Sequence, residues 1–484
     1  MPEKIPHYDV IVVGAGIAGI GAAYHLQSKC PGKKITVLEA RDRIGGTWDL
    51  FKYPGIRSDS DMYTLGFSFN PWKEPQAIAD GPAILKYIKE TASKFGIDQK
   101  IQFNHKVADA SWSDKEERWT LKISSHKNVK HEVLTCNFLF MCSGYYDYAN
   151  GYTPEFKGIE TFKGQIIHPQ KWDPKTNYSN KKVVIIGSGA TAITLVPEMA
   201  KKAGKVTMLQ RSPSYVISVP GEDPVVPLVK KFLPAEASYE LIRWKNIMLM
   251  LGFYKAARQW PNAIRRLIAT GVQKQLGSEY DMKHFNPTYK PWDQRVCVVP
   301  DADLFKAIKN GKADIVTDTI KKFTPAGILL DSGRELDADI IVTATGLRVQ
   351  LLGGMTMHIN NKLVELGKIH VYRGVMMSDI PNFAITVGYT NASWTLKCDL
   401  SCHFVTKLLN YMDRKNHTVC IPRFDPSKYQ SEPLLDFNSG YIQRVANHLP
   451  KQGSEAPWKV HQNYLRDTLS LKMTDMNDKV LEYR

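Results

Sequence analysis

Uninterrupted runs of β-branched and aliphatic residues, several closed by a glycine, recur along the chain. The first, residues 8–13, reads Tyr-Asp-Val-Ile-Val-Val and stops at Gly14. A short apolar run without regular polar alternation predicts a strand buried on both faces, as in a parallel sheet. Residues 20–29 follow with helical spacing, placing Ala22, Ala23 and Leu26 where they can pack on a sheet, and Pro31-Gly32 ends the pattern. Residues 35–39, Ile-Thr-Val-Leu-Glu, are the next strand, which completes a β-α-β unit. The pattern returns further on. A strand is predicted over 182–186, then a Gly-Ser-Gly turn, a helix over 193–202 with Pro197 as a kink point, and a strand over 205–209.

Two more apolar strands, at 138–144 and 340–346, end in small-residue turns and bracket the second unit. They predict crossings between two domains, the second inserted into the first. Residues 1–144 and 346–484 then form one domain and 145–345 the other. Residues 220–290 hold several helical stretches rich in Lys, Arg and aromatics, expected as an excursion from the second domain.

Composition narrows the class. With 484 residues, 43% hydrophobic and 23% charged, the chain is multi-domain and globular, not disordered or fibrous. The seven cysteines are odd in number and include no CxxC pair, so reduced thiols are expected, with neither a disulfide framework nor a metal site. A polar N-terminus without a signal peptide, and the lack of any bilayer-length apolar run, lead to the expectation of a cytoplasmic protein. The net charge of +16 suits nucleic acid, an anionic membrane surface or anionic cofactors, and only motifs can choose among them.

Gly14-Ala-Gly16-Ile-Ala-Gly19 joins the first strand to its helix. In that context Gly14 permits the tight turn, Gly16 lets the backbone approach a pyrophosphate, and Gly19 lets helix and strand pack closely. Glu39 stands at the end of the second strand, where a carboxylate accepts hydrogen bonds from ribose hydroxyls and repels a 2′-phosphate. This predicts FAD or NAD, not NADP; a plain strand–turn–helix connection is the simpler alternative. The second motif runs Gly187-Ser-Gly189-Ala-Thr-Ala192, and its second strand ends in Gln210-Arg211-Ser212 with no acid. Arg211 offers a two-donor fork where a 2′-phosphate would lie, with Ser212 beside it, which predicts NADPH. A solvated surface charge is the alternative for Arg211. Together the motifs predict an α/β fold with two Rossmann-like dinucleotide-binding domains, one for FAD and one for NADPH.

A third pattern follows the first crossing: Phe162-x-Gly164-x-x-x-His168-x-x-x-Trp172-Asp173. Gly46-Thr-Trp48, Tyr53-Pro54-Gly55 and Asp59 make a fourth. Both match the patterns of the Baeyer–Villiger flavin monooxygenases, and the sequence resembles that family over nearly its whole length. Residues 45–66, the segment around Gly187, and residues 291–300 and 387–396 most resemble its ethionamide-activating subgroup. The resemblance implies FAD, NADPH and O2 as cofactors and co-substrate, and small ketones or sulfides as substrates. It implies ketone conversion to esters or lactones through a C4a-peroxyflavin, with sulfides or thioamides also oxidised.

Residue by residue, the resemblance implies that Gly46, Trp48 and Asp59 lie at the flavin and that Arg295 is the catalytic arginine, paired with Asp59. Asp61 is the rival carboxylate. Phe162, Gly164, His168, Trp172 and Asp173 would form the linker that positions the NADP domain. Trp394 falls near the substrate pocket, although an aromatic there is as well explained by packing. Where many members carry Lys before the catalytic arginine, this chain has Gln294, which puts the strength of NADPH preference in doubt.

Two rival functions remain. One is the sister group of N- or S-oxygenases, disfavoured by Trp172-Asp173. The other is a non-oxygenating FAD-dependent redox-sensing or binding protein, disfavoured by Arg295 and Asp59. The cationic, aromatic segment 220–290 reads as a solvated face over an aromatic core or as contact with a membrane surface. No nucleic-acid motif accompanies it.

Overall fold

The computed structural model describes residues 5–125, 128–434 and 440–484. In the first unit, strand β1 (His7–Val13) turns into helix α1 (Ile17–Lys29) and then β2 (Ile35–Glu39). β3 (Ile101–Phe103) extends the sheet beyond β2. β4 (Lys106–Ser113), β5 (Arg118–Ser125) and β6 (Asn128–Met141) form an antiparallel meander. β6 also runs parallel to β1, so the same strand closes the meander and continues the parallel sheet. The continuous apolar run of β1 is explained by this position, because its last four residues are buried between helices and meander.

The chain leaves this sheet through β7 (Tyr146–Gly151) and enters a second, all-parallel sheet. That sheet contains β8 (Gln165–Ile167), β9 (Lys182–Ile186) and, after helix α2 (Ala190–Met199), β10 (Lys205–Gln210). Helices α3 (Val226–Phe232), α4 (Ala235–Gln259) and α5 (Pro261–Leu276) follow. β11 (Ala313–Thr317) and β12 (Ile340–Thr343) complete the sheet in the order β11-β10-β9-β12-β8. The return passes through β13 (Leu347–Val349), which pairs antiparallel with β7. Outbound and inbound crossings therefore lie side by side. β14 (Thr356–Ile359) joins β4, and β15 (Phe383–Ile385) joins β6. Helix α6 (Trp394–Lys415) packs on α1, and helix α7 (Tyr464–Lys472) packs on α6.

Three details depart from expectation. Both motif helices begin earlier, at Ile17 and Ala190, because Gly16 and Gly189 are themselves the N-caps. Helix α2 also stops at Met199, two residues beyond Pro197. The helical excursion is not an appendage of the second unit. Tyr239 and Ile242 of α4 lie in the core of the first unit, whereas Ile268 and Val272 of α5 lie in that of the second. The buried Arg243 guanidinium donates to the Tyr63 and Gly66 carbonyls at 2.7 and 2.9 Å, fastening α4 to the first unit.

Candidate functional site

The Gly14 turn is shaped by close approach. Gly14 has φ +107°, and a Cβ there would stand 2.6 Å from the Cys142 carbonyl oxygen. A Cβ at Gly19 would stand 1.7 Å from the Gly14 carbonyl oxygen, so only glycine lets α1 lie this close to the turn. No acidic residue or capping side chain occupies the first turn of α1, which leaves its backbone N–H groups for an anion. Glu39 is buried and holds the turn in place. One of its oxygens accepts from Ala15 N at 2.8 Å and the other from Arg41 N at 2.9 Å. Burial raises its pKa, and the two N–H bonds oppose that shift. Each oxygen keeps a further lone pair for a ligand hydroxyl.

In the second turn, Gly187 has φ +137° and a Cβ would meet the Ala344 carbonyl oxygen at 2.4 Å. Gly189 differs: nothing lies within 4 Å of where its Cβ would stand. Ser188 Oγ donates to the Ser212 carbonyl at 3.0 Å, holding the loop after β10 against the glycine turn. Arg211 and Ser212 are both exposed there. Gln210 is buried and donates to the His284 carbonyl and the Thr317 hydroxyl, so it faces the core and not a nucleotide. Ala192, in the first turn of α2, is fully buried.

A cavity of about 680 Å³ runs between the units. Gly14, Gly16, Glu39, Gly46, Trp48 and Asp59 line it from the first unit; Ala190, Thr191 and Thr194 of α2 line it from the second. Arg295 and Trp394 also reach it. Arg295 Nε lies 3.6 Å from Asp59 Oδ2. Asp61, the rival carboxylate, is the N-cap of the short helix Met62–Leu65, accepting from Thr64 N at 3.0 Å and from the Asn246 amide at 2.9 Å. Nearby, Arg57 pairs with Asp303, and the buried Tyr53 packs in the core of the second unit, so the loop carrying Asp59 is tied to that unit at two points.

Trp394 stacks on Tyr145, with centroids 5.0 Å apart and planes 16° from parallel. Tyr145, Tyr148, Tyr389 and Lys397 also line the cavity and were not singled out from the sequence. The first two follow directly on the Gly144 crossing turn, and that aromatic run was a usable signal. Tyr389 falls within the segment 387–396 that carries the resemblance, and Lys397 lies just beyond it. Their shared partner is the buried Asp467, which accepts from Tyr389 Oη at 2.8 Å and pairs with Lys397 Nζ at 2.9 Å. Burial pushes the Tyr148 hydroxyl up to about 12 and the Cys297 thiol up to about 12. It also lowers the Lys397 ammonium, against the pull of Asp467.

The third pattern lies outside the cavity. His168 Nε2 is 3.2 Å from the Gly346 carbonyl oxygen, and Nδ1 accepts from Gln170 N at 3.2 Å. That pairing suits the neutral ring with its proton on Nε2, and burial depresses the pKa in the same direction. A Cβ at Gly151 would come 2.0 Å from His168 Cε1. The ring is therefore wedged against both crossings, at the end of β7 and the start of β13. Trp172 is buried in the second core with Tyr53. Phe162 packs edge-on to Phe323, a Cβ at Gly164 would strike the Asp339 carbonyl oxygen at 2.4 Å, and Asp173 caps a turn by accepting from Lys175 N. All seven cysteines are free and buried. Among the described residues there is no cluster of potential metal ligands.

The profile of a family described as flavin-binding monooxygenase-like matches residues 8–389. The chain is 52% identical over 479 residues to the FAD-containing monooxygenase EthA of Mycobacterium tuberculosis, covering 99% of this chain and 98% of that protein. The EthA of Mycolicibacterium smegmatis is 50% identical over 479 residues, covering 99% and 97%. Among solved structures, an oxidised steroid monooxygenase bound to NADP has a TM-score of 0.78 at 21% identity, covering 99% of both chains. A cyclohexanone monooxygenase bound to ε-caprolactone has a TM-score of 0.76 at 18% identity, covering 99% of this chain and 100% of the other. At those identities the likeness concerns the fold.

Proposed function

Because the chain belongs to the flavin-binding monooxygenase-like family, we propose that it is an NADPH- and O2-dependent flavoprotein that converts ketones to esters or lactones and also oxidises sulfides or thioamides. The observation that carries this reading is the Arg295–Asp59 pair on the wall of a cavity that both motif helices reach.

The residues present suit both nucleotides. Ser143 Oγ is buried on the cavity wall without a hydrogen-bond partner, and Gly189 leaves open space at the N-terminus of α2. With Glu39 and the Gly14 turn, these groups match a ribose, a pyrophosphate and their approach. FAD is assigned to the first unit, residues 1–144 and 346–484, and NADPH to residues 145–345. Bound together, the two cofactors would supply the hydride equivalents that let the flavin activate O2, which is the source of the transferred oxygen atom.

The chain's own residues bind, orient and shield. Arg295 stays protonated and stabilises negative charge that develops on the oxygen being transferred and on the substrate carbonyl. Asp59 orients that guanidinium. Trp394 and Tyr145 present stacked aromatic faces that exclude water. Arg211 and Ser212 take the 2′-phosphate. His168 acts at a distance from the reacting atoms, as a neutral wedge at the crossings that sets how the units meet, with Trp172 anchoring its loop. Small errors in that placement carry large rate penalties.

A substrate panel tests the reading. Purified FAD-loaded protein is given NADPH with a cyclic ketone, a sulfide and a tertiary amine, and products are identified by mass. Ester or lactone from the ketone supports it. Amine N-oxide without ester would support the sister group, and cofactor binding without any turnover would support a redox-sensing protein.

A further inference from the structure

The outer face of α4 is apolar where a surface helix is ordinarily polar. Leu241, Trp244 and Met248 follow one another at helical spacing and are 52%, 42% and 52% exposed. Ala237 and Gly252 extend the same seam at its two ends, and both are exposed. At about 1.5 Å per residue, this uncharged seam is roughly 22 Å long. Helix α7 carries a second one, Leu465, Leu469 and Met473, spaced four residues apart, with Met473 75% exposed. The two adjoin, since the rings of Trp244 and Tyr464 lie 6.0 Å apart. Just before α4, Phe232 is 71% exposed. Of the sixteen large hydrophobic side chains exposed among the described residues, thirteen lie on α3, α4, α5, α7 or the residues next to their ends. Singly exposed apolar residues need no explanation, but this clustering does.

Charge indicates what covers the face. Residues 225–276 hold nine Lys and Arg against two acids, Glu236 and Glu240, and six of the nine remain after Arg243, Lys245 and Arg258 pair with Asp399, Asp223 and Asp293. Lys230, Lys231 and Lys255 are exposed toward the ends of the α4 seam, outnumbering the exposed Glu236 and Glu240, and Arg466 and Lys472 are exposed beside that of α7. An apolar strip holding a tryptophan and rimmed by cations matches the interface of a bilayer with anionic headgroups. A nucleic acid would instead need cations along the strip itself.

The same elements reach the cavity from behind. Asp467, on the buried side of α7, holds Tyr389 and Lys397 on the cavity wall, and Gln462, just before α7, lines the cavity directly. We propose that the α4–α7 face seats on an anionic lipid surface, which leaves one helix between the lipid and the cavity wall. This is independent of which substrate the cavity takes.

The test is co-sedimentation of the full-length, FAD-loaded protein with vesicles of phosphatidylcholine alone or mixed with phosphatidylglycerol. Binding to the mixed vesicles should exceed binding to the neutral ones by about tenfold and weaken with salt. The Met248→Glu/Leu469→Glu variant should bind mixed vesicles about tenfold less. Its circular dichroism and its NADPH oxidation with a water-soluble substrate should be unchanged. Protein left in the supernatant with mixed vesicles, or bound equally to both kinds, would overturn the proposal. So would light scattering that shows a dimer which this variant dissociates, because a second copy would then cover the face.

Discussion

Arg295 is 44% exposed and Asp59 14%, at 3.6 Å. An ion pair open to solvent on one side contributes only about 0–1 kcal/mol to stability. Its consequence lies in where it leaves a permanent cation, on a wall shared with Trp394 and the α2 N-terminus. Arg295→Ala should therefore fold normally and hold FAD, while ester formation falls by roughly 10²–10³. Product formation per enzyme, alongside flavin absorbance, checks this; ester formation at the natural rate would remove Arg295 from the mechanism.

Arg211 calls for a different assay, because it would act on binding. It is exposed just past the end of β10, and neither sequence neighbour, Gln210 or Ser212, is an acid that would repel a 2′-phosphate. Arg211→Ala should raise KM for NADPH about tenfold or more and leave KM for NADH nearly unchanged, from the loss of about 1.5–3 kcal/mol of charged hydrogen bonding. Equal losses with both coenzymes would show that Arg211 does not touch the phosphate. Comparing the coenzymes on the natural protein also measures how much discrimination survives with Gln294 in place of lysine.

At the scale of elements, two different positions of the glycine motifs, the third in the first motif and the second in the second, predict opposite behaviour. At Gly19 a methyl group would collide with the Gly14 carbonyl, whereas at Gly189 it would meet open space. Gly19→Ala should lower stability by about 1–3 kcal/mol, read as a lower unfolding midpoint, and release FAD. Gly189→Ala should leave the midpoint unchanged and weaken NADPH binding by placing a methyl where the pyrophosphate approaches. Thermal melts with coenzyme titrations separate the two outcomes.

The β-α-β units were legible because their signals are local. An apolar run, a glycine turn and an acid or arginine at the next strand end all fall within about thirty residues of each other. The helix starts were misplaced by three residues because Gly16 and Gly189 cap without a side chain, so nothing in composition marks the boundary. The bridging role of α4 was not legible. Arg243 finds its carbonyl partners about 180 residues earlier, a contact that periodicity does not report. The same holds for Asp467, whose partners Tyr389 and Lys397 precede it by 78 and 70 residues. At Asp59 and Asp61 the spacing pattern favoured the first. The structure supplies the physical distinction, since Asp61 is committed to capping a helix.

Across the whole molecule, burial governs the response to pH. His168, His284, His370, His403 and His461 all have pKa values below the ordinary 6.5, with burial as the main cause. Above 6.5 these rings are neutral both folded and unfolded. As pH falls through 6.5, the unfolded chain takes up protons that the folded chain resists, so stability is lost. Burial moves the thiols the opposite way, Cys30 to about 11 and Cys398 to about 12, so the unfolded chain ionises first above 9.0. The unfolding midpoint should therefore be flattest between about pH 6.5 and 9 and decline on both sides. A melt series across that range checks it, and an acid limb that begins only near pH 4, where carboxylates titrate, would remove the histidines from the account.

Whether the cavity between the two units supports flavin-dependent transfer of oxygen from O2 to a substrate is decided by isotope labelling. FAD-loaded protein is given NADPH, a cyclic ketone and O2 labelled with heavy oxygen, and the product mass and NADPH consumption are measured together. The expected product is a lactone that carries one labelled oxygen atom, with one lactone formed for each NADPH consumed. NADPH oxidised to yield only peroxide, or a lactone without label, would contradict it.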